Sequence, residues 1–194
     1  VDISHYRPEE LKSKLERDGL LRKGEEIALV AGGPPCQAYS TMGRAKIGSL
    51  IKSGKWPGYD SRGDLYLYFG LYVAFFKPKY FLMENVDGMN STISKEGNSM
   101  SEEIRKEFEE IGYNVECRTL SASNFGVPQD RKRVFFLGSR SDVDPCDFPE
   151  PTHLEREPIV LDAIEDLIGV EPSRRVGEVV TTGSGKQVTS HYTG

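Results

Sequence analysis

Glu26-Ile27-Ala28-Leu29-Val30-Ala31-Gly32-Gly33-Pro34-Pro35-Cys36-Gln37 opens as a short apolar run with β-branched members and breaks into two glycines and two prolines. A brief apolar run ended by Gly-Pro punctuation reads as a buried strand over 26–31. In open α/β sheets, ligands gather outside such strand ends. The prolines fix φ and remove two backbone donors, so the turn that carries Cys36 is stiff, and a stiff turn aims a side chain. Cys36 is therefore a candidate nucleophile. A cysteine beside a tight turn is otherwise a small packing residue, so its reading depends on what else reaches the same end of the sheet.

Two further segments bring chemistry there. Tyr80-Phe81-Leu82-Met83 is a second apolar strand, and it runs directly into Glu84-Asn85-Val86. If the two strands are neighbours, Glu84 emerges beside Cys36. A carboxylate at the end of an apolar strand is partly desolvated, which raises its pKa and suits it to donating a proton or hydrogen bond near neutral pH. Gln129-Asp130-Arg131-Lys132-Arg133 stands immediately before a third apolar strand, Val134-Phe135-Phe136-Leu137-Gly138. In that strand's pleat Arg131 and Arg133 share a face. Two adjacent guanidiniums repel unless an anion or acceptor faces them, so a phosphate, a base oxygen or Glu84 is their natural counterpart.

Pro-Cys-Gln, then Glu-Asn-Val, then Gln-x-Arg-x-Arg, in this order and at these separations, resembles the cytosine-5 DNA methyltransferase family. Further blocks extend the resemblance. Asp60-Ser61-Arg62-Gly63-Asp64-Leu65 is similar to the family's Arg-Gly-x-Leu block, and Leu120 to Pro128 is similar to the segment leading into its arginine pair. Val1-Asp2-Ile3 resembles the acidic strand tip that touches the adenine of S-adenosylmethionine. The resemblance implies a Rossmann-like, S-adenosylmethionine-dependent methyltransferase fold of the α/β class, incomplete at its N-terminus, since the family's Phe-x-Gly-x-Gly cofactor loop has no counterpart here. It implies a partial catalytic domain over 1–150 with a mobile catalytic loop at 36–62, and a linker into the target-recognition region over 151–194. The residues it implies are Cys36 as nucleophile and Glu84 at ring nitrogen 3 and the amino group. Arg133 would meet the ring oxygen, with Arg131, Asn85 and Gln129 in support. Asp2, Ile3, Pro34 and Leu65 would line the cofactor pocket.

The implied partner is double-stranded DNA, with a complementing N-terminal or C-terminal methyltransferase piece as a second partner, and the implied setting is a bacterial cytoplasm and a restriction-modification context. Two other readings stay open: a transfer-RNA cytosine-5 methyltransferase, which shares the motifs, and a non-catalytic or complementing fragment of a split enzyme.

Composition bounds the remainder. The chain has 194 residues, 37% of them hydrophobic, and a formal charge of −5, which suits one domain able to bury a core. No apolar run approaches the ~20 residues of a membrane span, and the first residues lack a secretory pattern. Three cysteines, Cys36, Cys117 and Cys146, are too few and too scattered for a disulfide framework or a zinc site; no metal is expected. Net acidity hides a local excess: five basic residues (Arg44, Lys46, Lys52, Lys55, Arg62) stand against Asp60 alone between 44 and 62, a balance of +4. A basic, Gly/Ser-punctuated loop joined to the nucleophile is suited to contacting phosphates. Trp56 sits in the same stretch.

Strands alternate with helices, as a Rossmann-like sheet requires. Helices are expected over 65–76 and 99–111, the second with a Ser99/Glu102 capping box and a Gly112 stop. Strands are expected over 79–83, 113–120 and 133–137, the last two as a hairpin at the far edge. A short packing helix is expected over 159–168, and 171–194 offers turn formers and little core. His153 and His191 read as surface residues, and Cys117 and Cys146 as neutral ones.

Overall fold

A computed structural model describes residues 6–34, 46–55, 65–93, 97–168, 179–181, 185 and 187–189. Asp2, Ile3, Cys36, Gln37, Trp56 and His191 lie outside the described residues, as do both ends of the expected catalytic loop. By contact the chain divides into two units, residues 1–120 with 132–149, and residues 121–131 with 150–194.

The first unit is built on a four-stranded sheet. Its strands are β1 (Leu29–Gly32), β2 (Tyr80–Val86), β3 (Tyr113–Ser121) and β4 (Lys132–Arg140), in the order β1-β2-β4-β3. β1 and β2 run parallel, with Leu29 opposite Tyr80 and Gly32 opposite Met83. β4 runs antiparallel to β2, with Tyr80 opposite Ser139 and Val86 opposite Arg133. Helices connect the strands: α1 (Pro8–Arg17), α2 (Ile47–Ser53), α3 (Leu65–Phe76), α4 (Gly88–Ser91) and α5 (Met100–Glu110). The mixed α/β sheet with helical crossovers is the expected Rossmann-like class, and β3 takes the far edge beside β4.

Sequence dictates much of this locally. α3 is apolar or aromatic all round, and Tyr66 to Val73 are buried, as a helix without a polar face requires. α5 is amphipathic instead: Ile104 and Phe108 are fully buried on one side. Ser99 accepts a hydrogen bond from the Glu102 N–H while the Glu102 carboxylate receives the Ser99 N–H, the expected capping box. The serine N–H and hydroxyl on this carboxylate hold it below the usual range. Gly112, at φ 98°, turns the chain out of the helix. The core centres on Phe81, whose ring lies 4.4 Å from Phe108, 5.2 Å from Tyr113 and 6.1 Å from Phe69.

Four expectations change in detail. β1 runs over Leu29–Gly32 rather than 26–31 and is not buried, with Leu29 and Ala31 exposed; Gly32 stays in the strand through its pairing with Met83, and a methyl group on it would lie 3.1 Å from the Phe69 ring. Arg131 does not share a strand face with Arg133, because the chain is still turning there and β4 starts at Lys132; the Arg131 N–H bonds to the Gln129 carbonyl at 3.0 Å. The expected packing helix over 159–168 is a short α6 (Val160–Ile164) followed by a 3-10 turn, Glu165–Leu167. Its apolar residues do not pack: Leu161, Ile164, Leu167 and Ile168 are all exposed. The second unit also holds a hairpin the sequence reading missed, β5 (Val179–Thr181) antiparallel to β6 (Gln187–Thr189).

Candidate active site

The parallel register brings the tips of β1 and β2 level. Gly32 pairs with Met83, so the next residues, Gly33 and Glu84, stand side by side. The approach is close: a methyl group on Gly33 would lie 3.0 Å from Glu84 Oε2. Any side chain on Gly33 would crowd the Glu84 carboxylate, so a bare backbone here leaves Glu84 in place beside the turn. The sequence reading treated this glycine as a strand breaker and missed that role. A doubled glycine ahead of the prolines was its only signal.

Asn85 holds the same turn from below. Its side chain is 3% exposed, donates from Nδ2 to the Pro34 carbonyl at 3.1 Å, and accepts the Val86 N–H on Oδ1 at 2.9 Å. A buried amide with both ends engaged is a rigid brace, and this one ties the tip of β2 to the residue two before Cys36. Glu84 meets Arg133 from β4, with Nε 3.0 Å from Oε1. The register explains the reach. Glu84 is opposite Phe135 and Val86 is opposite Arg133, so Arg133 lies diagonally across the strand pair on the Glu84 face. Both side chains are partly shielded, at 26% and 34% exposure. Arg133 Nη1 donates to the Lys132 carbonyl at 2.7 Å.

The structure therefore brings together Gly33, Pro34, Glu84, Asn85 and Arg133 within one unit. Gln129 and Arg131 are exposed on the turn between residues 121 and 131, in the other unit.

Beside β1 lies a cavity of about 570 Å³ bordered by Gly33, Pro34, Leu65, Phe69, Tyr72 and Leu15, among others. Pro34 and Leu65, two of the residues expected to meet a cofactor, are both on its wall. Its size suits a small-molecule site. Its described side chains are apolar apart from Tyr72, and the Tyr72 hydroxyl is spent on the Tyr6 carbonyl at 2.8 Å. Burial pushes that phenol up to about 12.

Away from the tips, α2 is fixed at its start. Ile47 is fully buried and its N–H bonds to Glu107 Oε2 of α5 at 3.0 Å. It seats on Gly70 so closely that a methyl group there would fall 2.3 Å from Ile47 Cδ1. Cys117 is partly buried in β3, which pushes its thiol up to about 11, and Cys146 is exposed. Among the described residues no group of three or more His, Cys, Asp or Glu is arranged to hold a metal ion, and no helix is long and apolar enough to cross a membrane.

The site thus sits on an α/β domain of the Rossmann-like class, where the tips of two parallel strands carry a Gly-Pro turn and a carboxylate and the antiparallel neighbour supplies a guanidinium. The chain belongs to the C-5 cytosine-specific DNA methylase family, whose model matches residues 8–189. It is 37% identical over 166 residues to the type II methyltransferase M1.HphI of Haemophilus parahaemolyticus, covering 84% of this chain and 40% of that protein. It is 39% identical over 140 residues to M.FnuDI of Fusobacterium nucleatum, covering 71% of this chain and 37% of that protein. The chain thus spans about two fifths of these relatives. Among solved structures it superposes on a prophage-encoded E. coli protein described as a DNA modification methyltransferase, with a TM-score of 0.60 and 24% identity over 92% of this chain and 44% of that one. That superposition supports the fold.

Proposed function

We propose that this chain carries the base-activating centre of a DNA cytosine-5 methyltransferase, with Cys36 as its nucleophile. The observation that carries the reading is the Glu84–Arg133 pair at 3.0 Å, held against the Gly33-Pro34 turn that leads to Cys36.

The chemistry follows from cytosine. Carbon 5 is too weak a nucleophile until something adds across the neighbouring double bond, and a thiolate adding at carbon 6 supplies that electron density. A free thiol has a pKa of about 8.5, so the site must favour the thiolate. In this reading Arg133 fixes the orientation of Glu84, and Glu84 holds ring nitrogen 3 and the amino group. With Nε given to Glu84 and Nη1 to the Lys132 carbonyl, Nη2 is the donor we assign to the ring oxygen. Asn85 braces the turn, and Gln129 and Arg131 support the site and the nucleic-acid backbone. Loss of the proton from carbon 5, to water, then allows Cys36 to be eliminated. A paired base hides carbon 6, so the cytosine must leave the duplex, at a cost of a few kcal/mol.

The cofactor proposed is S-adenosylmethionine, which when bound supplies an electrophilic methyl group. The cavity beside β1 fits the ring end of that molecule, with Pro34 and Leu65 on its wall. Its described lining offers no charged side chain for the amino-acid end. Asp2 and Ile3, outside the described residues, are assigned to the adenine, and the amino-acid end to other groups outside the described residues or to a complementing methyltransferase piece. Residues 36–62 are assigned to the catalytic loop, and 151–194 to the passage into target recognition. The proposed partner is double-stranded DNA in a bacterial cytoplasm, as the modification half of a restriction pair.

Methyl incorporation into DNA and into transfer RNA, measured side by side on the complete enzyme, tests the substrate. The proposal expects label in duplex DNA; label confined to transfer RNA would overturn it.

A further inference from the structure

The turn that carries Gln129 and Arg131 is held by a strap from further along the chain, within the same unit. The turn begins as the 3-10 segment Ala122–Phe125 and leaves it through Gly126, at φ 85°. Three backbone bonds close it: Gly126 N–H to Ser123 at 3.2 Å, Val127 N–H to Ala122 at 3.2 Å, and Ala122 N–H to Arg131 at 2.9 Å. Two more, Gln129 N–H to Val127 at 2.7 Å and Arg131 N–H to Gln129 at 3.0 Å, set the exposed side.

Onto this turn comes Pro151-Thr152-His153. The N–H groups of Thr152 and His153 both donate to the Asn124 carbonyl, at 3.0 and 2.9 Å. One carbonyl receiving two consecutive amides is a two-point latch, because it fixes both position and direction of the incoming strand. The imidazole of His153 then lies against Gly126. A methyl group on Gly126 would stand 2.8 Å from Cε1, 3.2 Å from Nδ1 and 3.3 Å from Nε2, so three ring atoms face the glycine nearly equally. The Thr152 hydroxyl, 2.8 Å from Nδ1, ties the ring to the incoming strand. Gly126 thus serves through its backbone angle and again by leaving room for the ring.

We propose that Thr152 and His153 are positioning residues, a latch that sets where Gln129 and Arg131 stand. The inference rests on the reading of those two residues as part of the site. An exposed turn bearing a long arginine side chain loses precision unless its backbone is over-determined, and the latch supplies that constraint from outside the turn.

Amide hydrogen exchange on the full chain tests the latch without any catalysis. His153→Ala should raise exchange at the amides of Ala122, Gly126 and Val127 about tenfold, with the β2 amides unchanged. His153→Phe, which keeps a flat ring on Gly126, should restore protection. Unchanged exchange in His153→Ala would overturn the latch. Catalysis by the complete enzyme tests the positioning role: kcat should fall in His153→Ala and fall no further in an Arg131→Ala background, since coupled residues are non-additive. Equal losses in both backgrounds would overturn positioning through Arg131. Full activity of Arg131→Ala alone would instead remove Arg131 from the site and leave the exchange result standing.

Discussion

Glu84 and Asn85 are consecutive in sequence, yet the strand pleat gives them different work: Glu84 meets Arg133, and Asn85 turns inward to the Pro34 carbonyl. Glu84→Gln keeps the shape and removes the charge. In the complete enzyme it should retain DNA binding and lose turnover by about 100-fold or more, as measured by steady-state methyl transfer; unchanged turnover would remove Glu84 from the mechanism. Asn85→Ala should cost about 1–3 kcal/mol of stability in denaturant melts, because it orphans a buried carbonyl and a backbone N–H together. Among the thiols, Cys117 ionises only near 11. Alkylation at pH 8 should therefore label Cys146 well before Cys117, and mass spectrometry of the peptides reads this directly. The three motifs were legible here because each places polar residues beside one end of an apolar run. Gly33 was not, since its importance lies in a 3.0 Å approach to a residue 51 positions away in the sequence.

Helices and strands divide by whether their signals were local. α3 and α5 were legible to within a residue, because a continuous aromatic run and a Ser/Glu capping box belong to the helix itself. The start of β4 was not: whether Arg131 belongs to the strand depends on the turn bonds between Ala122, Gln129 and Arg131. The apolar spacing of 159–168 suggested a packed helix, and helical spacing alone does not supply a surface to pack on. The β5–β6 hairpin had a readable signal, β-branched residues on both sides of Gly183-Ser184-Gly185, lost among turn formers. Gly138 belongs to this scale as well. It sits opposite Phe81 in the sheet, and a methyl group there would fall 2.0 Å from the Phe81 ring. Gly138→Ala should destabilise by about 1–3 kcal/mol or more in thermal or denaturant unfolding. Retained stability would show that the ring at the core's centre can move.

Across the whole molecule, the sheet is closed at the end opposite the site by a charge cluster. Arg140 of β4 bonds to Glu26 and Asp142 and to the Lys77 carbonyl, and Lys79 approaches Glu26 at 3.2 Å. Arg140 above all holds both carboxyls below their ordinary values of 4.5 and 3.8. Depressed carboxyls contribute stability that is present above those values and lost as pH falls through the lower folded ones. The stability difference between wild type and Arg140→Gln should therefore be steady near neutral pH and shrink below about pH 4.5 in acid titrations followed by circular dichroism. At this scale, too, the chain spans about two fifths of the relatives it matches. Cys36, two residues beyond Pro34, is the nucleophile proposed to attack cytosine. The most direct measurement is covalent trapping: the complete enzyme, S-adenosylmethionine and a duplex carrying 5-fluorocytosine, read by denaturing electrophoresis and peptide mass. An adduct on the Cys36 peptide that disappears in Cys36→Ser is expected, and one that persists in that variant would rule out Cys36 as the nucleophile.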